Sequence, residues 1–346
     1  MKRIGLVVGK FSPLHKGHQF ILDYATQQTE RLVILSYSVP EFADCDSHQR
    51  LRWLKELYPE ATCLVLSPLK VAELCDDFNI PLASNDAPDD VHRDFCAFVL
   101  DKFNLGPVTD LYTSEGYGQG FASKLTLYYQ QNGQKNLRVK HHLVDEQRIN
   151  APISGTVIRD YRNTSKRWLN DLVFQDYKVQ SCCLIGAEST GKSTLAKALA
   201  KEFDDPCCAE YGRELWEQNN GVLDEADLLT IAQKQIAREH DSRNRARNFL
   251  FCDTSALTTL LYFEHYFQYR HPRLEMLAQR PYRHLFLCCP DFPMVQDGTR
   301  QDEKFRSSQH EWYLRELEKN GMDYHLLEGS WTEKLKQITT IIRMNA

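Results

Sequence analysis

A glycine-rich stretch at residues 186–193 carries the clearest chemistry in this sequence. It reads GAESTGKS and matches the phosphate-binding pattern G-x-x-x-x-G-K-[ST]. Its glycines let the backbone wrap around phosphates, and the helix that follows points its first amide hydrogens at the anion. Lys192 is expected to reach the β- and γ-phosphates of ATP, and Ser193 to bind Mg²⁺.

A second phosphate-binding pattern lies near the start of the chain. His15 and His18 follow the apolar run Ile4–Val8, which reads as a buried strand, and Gly17 between them allows close approach of a ligand. Imidazole and amide groups at that point can hold the phosphates of ATP. Zinc is the alternative ligand for an H-x-x-H pair, but no third ligand is spaced to complete a zinc site.

A third pattern stands at residues 153–159, which read ISGTVIR. Ser154 and Thr156 precede a predicted helix, and Arg159 lies one turn into it. Alone this pattern is an ordinary helix N-cap, but beside the histidine pair it predicts a second anion-binding element of the same site.

The second half also places carboxylates and arginines where predicted strands end. Glu210 and Asp253 each follow a strand, and Arg300 and Arg306 come after a third one. A kinase needs one carboxylate to accept the proton of the substrate hydroxyl and another near Mg²⁺. The sequence does not decide which carboxylate has which role. The two arginines suit a mobile lid over the phosphates.

Alternating strands and helices must position these groups, which predicts βαβ units with parallel sheets in both halves. The predicted strands are Ile4–Val8, Arg31–Ser36, Thr62–Leu66, Asp110–Thr113, Val139–Val144, Val179–Ile185, Cys207–Glu210, Asn248–Cys252, His284–Cys289 and Tyr324–Leu327. The polar and aromatic stretch Tyr161–Lys178 reads as the joint. We therefore expect an α/β protein with two domains, one at 1–165 and a second, which contains the P-loop, at 178–346.

The composition of the 346-residue chain limits its classes. A net charge of −5 gives no global basic field for nucleic acid, and no apolar run is long enough to span a membrane. The 11 cysteines are odd in number, include three doublets and form no C-x-x-C pair, so we expect reduced core cysteines in a cytoplasmic protein. Homo-oligomerisation is left open.

The motifs together resemble a known family. His15–His18 and Ile153–Arg159 resemble the H-x-G-H and I-S-x-T-x-x-R motifs of the nucleotidyltransferase superfamily. With the P-loop half, the whole chain is similar to the NadR family, in which nicotinamide mononucleotide adenylyltransferase is fused to nicotinamide riboside kinase. Further stretches carry the resemblance: Arg50–Leu54, Leu111–Glu115, Glu210–Arg213, Asp253-Thr254 and Asp297–Arg300.

The resemblance implies a Rossmann-like nucleotidyltransferase domain at 1–165 followed by a P-loop kinase domain at 178–346. It also implies two consecutive reactions, with ATP as co-substrate and Mg²⁺ as cofactor. The second half would phosphorylate nicotinamide riboside, and the first would join the resulting mononucleotide to AMP from ATP, giving NAD and pyrophosphate. Small molecules, namely ATP, the riboside and the mononucleotide, would be the partners, with no nucleic acid or membrane.

Site roles follow from the motifs and the resemblance. The candidate catalytic residues are His15, His18, Arg159, Lys192, Asp253 and Glu210. The candidate ATP- and phosphate-binding residues are Gly9, Phe11, Gly17, Ser154, Thr156, Gly186, Gly191, Ser193, Thr194, Arg300 and Arg306. The candidate substrate-binding residues are Thr113, Glu115, Tyr211, Arg213 and Thr254. The candidate Mg²⁺ ligands are Ser193 and Asp253.

The chain also departs from the family. Members often carry aspartate where Ser255 stands and tryptophan near Met294, both in the nucleoside pocket of the kinase. Phe292, Trp216 and Tyr211 are aromatic candidates for stacking on the base, with a core position as the alternative for each. Many members begin with a helix-turn-helix repressor domain, and DNA binding is not expected here.

Two other functions remain alternatives. A fusion of phosphopantetheine adenylyltransferase with dephospho-coenzyme A kinase has the same domain order. A nucleotide sensor with a non-catalytic P-loop half is the second.

Overall fold

The computed structural model describes residues 2–291, 293–294 and 302–344. The chain divides into two compact units, Met1–Tyr177 and Lys178–Ala346. Each unit is an α/β fold around one five-stranded parallel sheet, as predicted.

The sheet of the first unit has the strand order β3-β2-β1-β4-β5. The strands are β1 (Ile4–Val8), β2 (Arg31–Tyr37), β3 (Thr62–Leu66), β4 (Asp110–Thr113) and β5 (Lys140–Leu143). The helices are α1 (Lys16–Gln28), α2 (Ser47–Leu57), α3 (Pro68–Phe78), α4 (Asp89–Lys102), α5 (Gly118–Gln131), α6 (Gly155–Asp160) and α7 (Asp171–Tyr177). Because β1 lies between β2 and β4, the chain reverses its direction of winding there, which opens a crevice at the carboxyl ends of these strands.

The predicted joint between the halves belongs to the first unit instead. Residues 162–168 form a 3₁₀ helix, and α7 follows it. Leu169, Val173 and Tyr177 are buried in the same apolar cluster as Leu22 of α1 and Trp53 of α2. Trp53 also donates a hydrogen bond from Nε1 to Asp176 at 2.8 Å. The aromatic content of this stretch therefore serves core contacts, and the boundary falls at its end.

The sheet of the second unit has the order β10-β9-β6-β8-β7. The strands are β6 (Gln180–Gly186), β7 (Cys207–Cys208), β8 (Phe249–Asp253), β9 (His284–Cys288) and β10 (His325–Leu327). The helices are α8 (Lys192–Phe203), α9 (Tyr211–Gln218), α10 (Glu225–Arg243), α11 (Ala256–Phe267), α12 (Pro272–Ala278), α13 (Glu303–Lys319) and α14 (Trp331–Met344). The central strand β6 runs directly into the P-loop.

Apolar side chains explain why both sheets are covered on two faces. Parallel strands need helices on each side, and β6, β8 and β9 of the second sheet are buried along their whole length. Nine of the 11 cysteines are buried, which agrees with their prediction as core residues. None of the helices in the described ranges is both long and apolar enough to cross a membrane.

A buried carboxylate ties the strands of the first sheet together at their amino ends. Asp110 accepts hydrogen bonds from Arg3 (2.9 Å), Thr109 (2.7 Å) and His142 (2.7 Å). Burial raises the pKa of Asp110, but these hydrogen bonds outweigh it and bring the pKa to about 2. The pKa in the folded state is thus below that of the unfolded chain, so the carboxylate stabilises the fold above roughly pH 4, and this is lost as the pH falls toward 2.

We expect Asp110→Asn to lower the free energy of unfolding of the first unit by about 1–2 kcal/mol near neutral pH. The difference from wild type should shrink when urea unfolding is repeated in acid near the folded-state pKa. An equal loss at both pH values would show that the ionised form of Asp110 does not carry the effect.

Two candidate active sites

In the first unit, the two histidines of the H-x-G-H stretch begin α1. His15 is the N-cap: its Nδ1 accepts hydrogen bonds from the backbone N–H groups of Gly17 (3.1 Å) and His18 (3.3 Å). His18 Nδ1 accepts in turn from the N–H of His15 at 3.4 Å. The two rings stack with centroids 3.6 Å apart. This reciprocal capping box fixes the orientation of both rings.

Capping also fixes the protonation state of the histidines. A ring nitrogen that accepts a hydrogen bond carries no proton, so the hydrogen of each neutral ring lies on Nε2. Burial, together with the charges of Arg148 and Arg159, lowers the pKa of His15 to about 4. Burial, the neighbouring His15 and Arg148 lower the pKa of His18 well below its usual range. Both rings are therefore neutral near pH 7 and can donate Nε2–H to an anion.

The third motif lies against the same turn, as predicted. Ser154 caps α6 by accepting from the N–H of Val157 at 3.3 Å. Arg159 donates to the carbonyl of Ser12 (2.6 Å) and to Thr156 Oγ1 (3.0 Å), and its guanidinium lies 3.9 Å from the ring of Phe42. Arg159 thus joins α6 to the loop after β1.

These elements enclose a cavity of about 300 Å³. Its lining includes predicted residues from both motifs, namely His15, Gly17, His18, Ser154 and Thr156, and also the predicted substrate-binding residue Glu115. Sequence reasoning missed Asp145 and Arg148, which also line it. They lie in the loop after β5, where the isolated residues match no motif.

Four predicted residues of the first unit do not line this cavity: Arg159, described above, and Thr113, Phe11 and Gly9. Thr113 is buried, and its hydroxyl donates to the carbonyl of Glu115 (2.8 Å) and contacts His141 Nε2 (2.8 Å), so it supports the loop. Phe11 is buried with its ring edge-on to His18 at 5.0 Å. A side chain at Gly9 would meet the Phe11 ring at 2.9 Å, so Gly9 makes room for Phe11. Phe11 therefore packs against the histidine turn, Gly9 makes room for Phe11, and Thr113 supports the loop at Glu115.

In the second unit, the P-loop has the backbone that phosphate binding requires. Gly186 has φ +142° and Gly191 has φ +82°, a region that favours glycine. A Cβ at Gly186 would lie 2.6 Å from the carbonyl oxygen of Cys288. Lys192 Nζ donates to the carbonyls of Gly186 and Ala187, each at 2.7 Å. These bonds hold the ammonium group inside the loop.

Carboxylates surround this lysine. Burial lowers the pKa of Lys192, and the negative charges of the nearby Asp253, Glu210 and Glu188 offset only part of this shift. Burial and the negative charge of Asp253 raise the pKa of Glu210. Asp253 is buried, and its Oδ1 has no hydrogen-bond partner among the described residues. A buried carboxylate oxygen without a partner among the described residues, close enough to interact with the P-loop lysine, fits a hard cation such as Mg²⁺.

A cavity of about 210 Å³ lies beside the P-loop. Predicted residues that line it are Gly186, Gly191, Lys192, Ser193, Thr194, Glu210, Arg213 and Thr254. Trp216, a candidate for stacking on the base, also lines it, as does Ser255. Tyr211 does not: it lies beneath the guanidinium of Arg238 at 4.5 Å.

The structure corrects the prediction for Arg306. Instead of lying in a lid, Arg306 is buried on α13 and donates to the P-loop carbonyls of Glu188 (3.1 Å) and Ser189 (3.3 Å). These hydrogen bonds therefore anchor the P-loop to α13. Arg300, the stretch Asp297–Arg300 and Phe292 lie outside the described residues.

Sequence reasoning missed the aromatic wall of this cavity. Tyr262 and Tyr266 of α11 line it, with ring centroids 6.0 Å apart. The Tyr262 hydroxyl donates to Glu188 at 2.8 Å, and Gln309 binds both Tyr262 (3.2 Å) and the N–H of Glu188 (2.9 Å). The cavity thus has phosphate-binding groups at one end and aromatic side chains along its wall.

One family model and two curated relatives match parts or nearly all of this chain. Residues 181–334 match the AAA domain family. The trifunctional NAD biosynthesis/regulator protein NadR of Salmonella typhimurium is 26% identical over 364 residues, covering 99% of this chain and 83% of the relative. The protein of the same name from Escherichia coli is 28% identical over 321 residues, covering 86% of this chain and 72% of the relative.

A crystal structure of NadR protein in complex with NAD and AMP-PNP is 19% identical, with a TM-score of 0.47, and the alignment covers 99% of this chain and 96% of that one. The sequence alignments extend over both compact units, and each exceeds two thirds of the relative's length. This chain is therefore a homologue of the NadR proteins.

Proposed function

We propose that this protein makes NAD in two steps, each catalysed by one unit. The second unit transfers the γ-phosphoryl group of ATP to the 5′-hydroxyl of nicotinamide riboside. The first unit joins the resulting mononucleotide to the AMP part of a second ATP and releases pyrophosphate. The observation that carries the proposal is that one chain, homologous to the NadR proteins along nearly its full length, has two cavities lined by residues of phosphate-binding sequence motifs.

In the adenylyl transfer, the attacking group is a phosphate that is already an anion at neutral pH, so no strong base is needed. The neutral rings of His15 and His18 donate Nε2–H to phosphate oxygens, and Arg159 fixes the loop that places them. Catalysis then rests on positioning and on stabilising negative charge as pyrophosphate leaves.

In the kinase unit, Lys192 contacts the β- and γ-phosphates, with the P-loop amides around them. Ser193 and Asp253 would hold Mg²⁺, which neutralises charge on the phosphates when it is bound. Glu210, which lines the cavity while Asp253 does not, accepts the proton of the 5′-hydroxyl. The structure thus favours different roles for the two carboxylates that the sequence left equivalent.

The substrates can be tested by supplying them one at a time. We expect purified protein with ATP and Mg²⁺ to convert nicotinamide riboside to the mononucleotide and then to NAD, as measured by chromatography. Supplied mononucleotide should give NAD and pyrophosphate directly. Turnover of phosphopantetheine and dephospho-coenzyme A alone would overturn the proposal in favour of the coenzyme A pathway. NAD formation from the mononucleotide without any riboside phosphorylation would support a sensing role for the second unit.

We expect Glu210→Gln to lower the kcat of the kinase reaction by roughly 10²–10⁴-fold, the usual contribution of a general base. Because the base must be ionised, the wild-type rate should fall as the pH drops through the raised pKa of Glu210. Glu214→Gln is the matched control, since Glu214 lies on the same helix but pairs with Arg238 outside the cavity. If Asp253→Asn abolished the pH dependence while Glu210→Gln kept it, the two roles would be reversed.

A further inference from the structure

Arg148 has a distinctive position in the first unit. Of the described residues that line the cavity of about 300 Å³, it is the one arginine or lysine. Arg159 does not line the cavity, and its guanidinium is held by Ser12, Thr156 and the Phe42 ring. A polyphosphate in this cavity would therefore meet Arg148 as its cationic side chain.

A tight turn sets the position of Arg148. Arg148 has φ +51° and Asp145 has φ +56°, conformations that are uncommon for residues other than glycine. The turn is closed by a hydrogen bond from the N–H of Arg148 to the carbonyl of Asp145 at 2.8 Å. The Asp145 carboxylate accepts from the backbone N–H groups of Ile149 (2.9 Å) and Asn150 (3.1 Å). The arginine is thus presented from a preorganised loop.

The contacts of the Arg148 side chain are weak ones. Its Nη2 pairs with Glu115 Oε1 at 3.0 Å, and its Nη1 lies 3.5 Å from the carbonyl of Ile153. The side chains of Arg148 and Glu115 are 41% and 55% exposed. Ion pairs this exposed contribute about 0–1 kcal/mol, so a stronger anion can displace the carboxylate.

We propose that Arg148 binds the phosphates of ATP in the first unit by exchanging Glu115 for phosphate oxygens. This inference rests on the proposed adenylyl transfer. The Arg148 guanidinium can donate two parallel hydrogen bonds to a phosphate. A side-chain rotation is enough to release it from the Glu115 carboxylate. The exchange places a full positive charge beside His15 and His18, whose neutral rings donate hydrogen bonds but supply no charge.

The alternative is that the Arg148–Glu115 ion pair has only a structural role and links the loop after β4 to the loop after β5. Three variants separate these roles: Arg148→Gln, Glu115→Gln, and the double charge swap Arg148→Glu with Glu115→Arg. The swap keeps an ion pair between the loops but removes the guanidinium from position 148. All are made in the full chain, and urea unfolding of the first unit checks that each variant folds.

The probe is α,β-methylene-ATP, whose uncleavable bond is the one that adenylyl transfer breaks. Binding is measured in chains that also carry Lys192→Ala, which weakens ATP binding in the second unit. We expect Arg148→Gln to weaken binding by roughly 10–100-fold, the value of a hydrogen bond to a charged group. Glu115→Gln should bind as well as the parent chain or more tightly, and the swap should bind as weakly as Arg148→Gln.

Recovery of binding in the swap would overturn the inference in favour of a loop tie, as would unchanged binding in Arg148→Gln. The KM for ATP in adenylyl transfer should follow the same order. If the parent chain binds the analogue but makes no NAD from the mononucleotide, the proposed function fails, while the binding series still decides the role of Arg148.

Discussion

We expect Lys192→Ala to lower the rate of phosphorylation of nicotinamide riboside strongly while leaving NAD formation from the mononucleotide intact. The ammonium group lies within the P-loop, where two carbonyls hold it at 2.7 Å each. It is the charge that meets the phosphates as the γ-phosphoryl group moves. Loss of one such charge-stabilising group costs roughly 10²–10³-fold in kcat. Separate assays of the two half-reactions on the same preparation measure the effect.

Lys192→Ala should also change the pKa of Glu210, and this provides a second measurable effect. Lys192 lowers the pKa of Glu210, so its removal should raise that pKa further. The remaining kinase activity should therefore shift to higher pH. Lys197→Ala, an alteration further along α8, is the control that keeps the P-loop intact. Loss of both half-reactions in Lys192→Ala would mean that the two activities do not reside in separate sites.

The sequence predicts those parts of the sites that are local in the chain. The P-loop, the histidine pair and the capped helix of Ser154 each depend on residues within about one turn of one another. Their geometry was predicted correctly, since a buried strand followed by such a motif leaves the backbone few options.

The contacts that the sequence did not predict join distant parts of the chain. Tyr262 and Glu188 are 74 residues apart, and Arg306 reaches a carbonyl 118 residues before it. Neither hydrophobic periodicity nor motif spacing indicates which distant side chain will pack against a loop. The sequence predicts a lid position for Arg306 because arginine can neutralise charge on phosphates, but here P-loop carbonyls accept hydrogen bonds from its guanidinium and permit burial.

Thr113 is a second predicted ligand contact whose side chain is buried and does not line the cavity. A hydroxyl at the carboxyl end of β4 occupies a typical place for a ligand contact, yet it is buried against His141 and its own loop. The direction of a side chain at a strand end depends on where the next loop turns. That depends in turn on tertiary contacts such as those of Gly118, where a Cβ would collide with His141.

The second large effect concerns His15, which has a structural role and a chemical one in the same ring. Nδ1 caps α1, and Nε2 is expected to donate to ATP. His15→Ala removes both, whereas His15→Asn keeps an N-cap acceptor on an extended residue but loses the reach of Nε2. Asparagine is among the best N-cap residues, so His15→Asn should retain stability that His15→Ala loses, about 1 kcal/mol.

Both variants should lower the kcat of adenylyl transfer by roughly 10²–10³-fold, with riboside phosphorylation unchanged. Urea unfolding of the first unit measures the capping effect, and the rate of pyrophosphate release measures the chemical one. Because the pKa of His15 is about 4, wild-type adenylyl transfer should show no loss through His15 titration between pH 6 and 8. If His15→Asn kept full adenylyl transfer, the ring would be a cap alone, and stabilisation of the leaving pyrophosphate would have to come from His18 and the arginines.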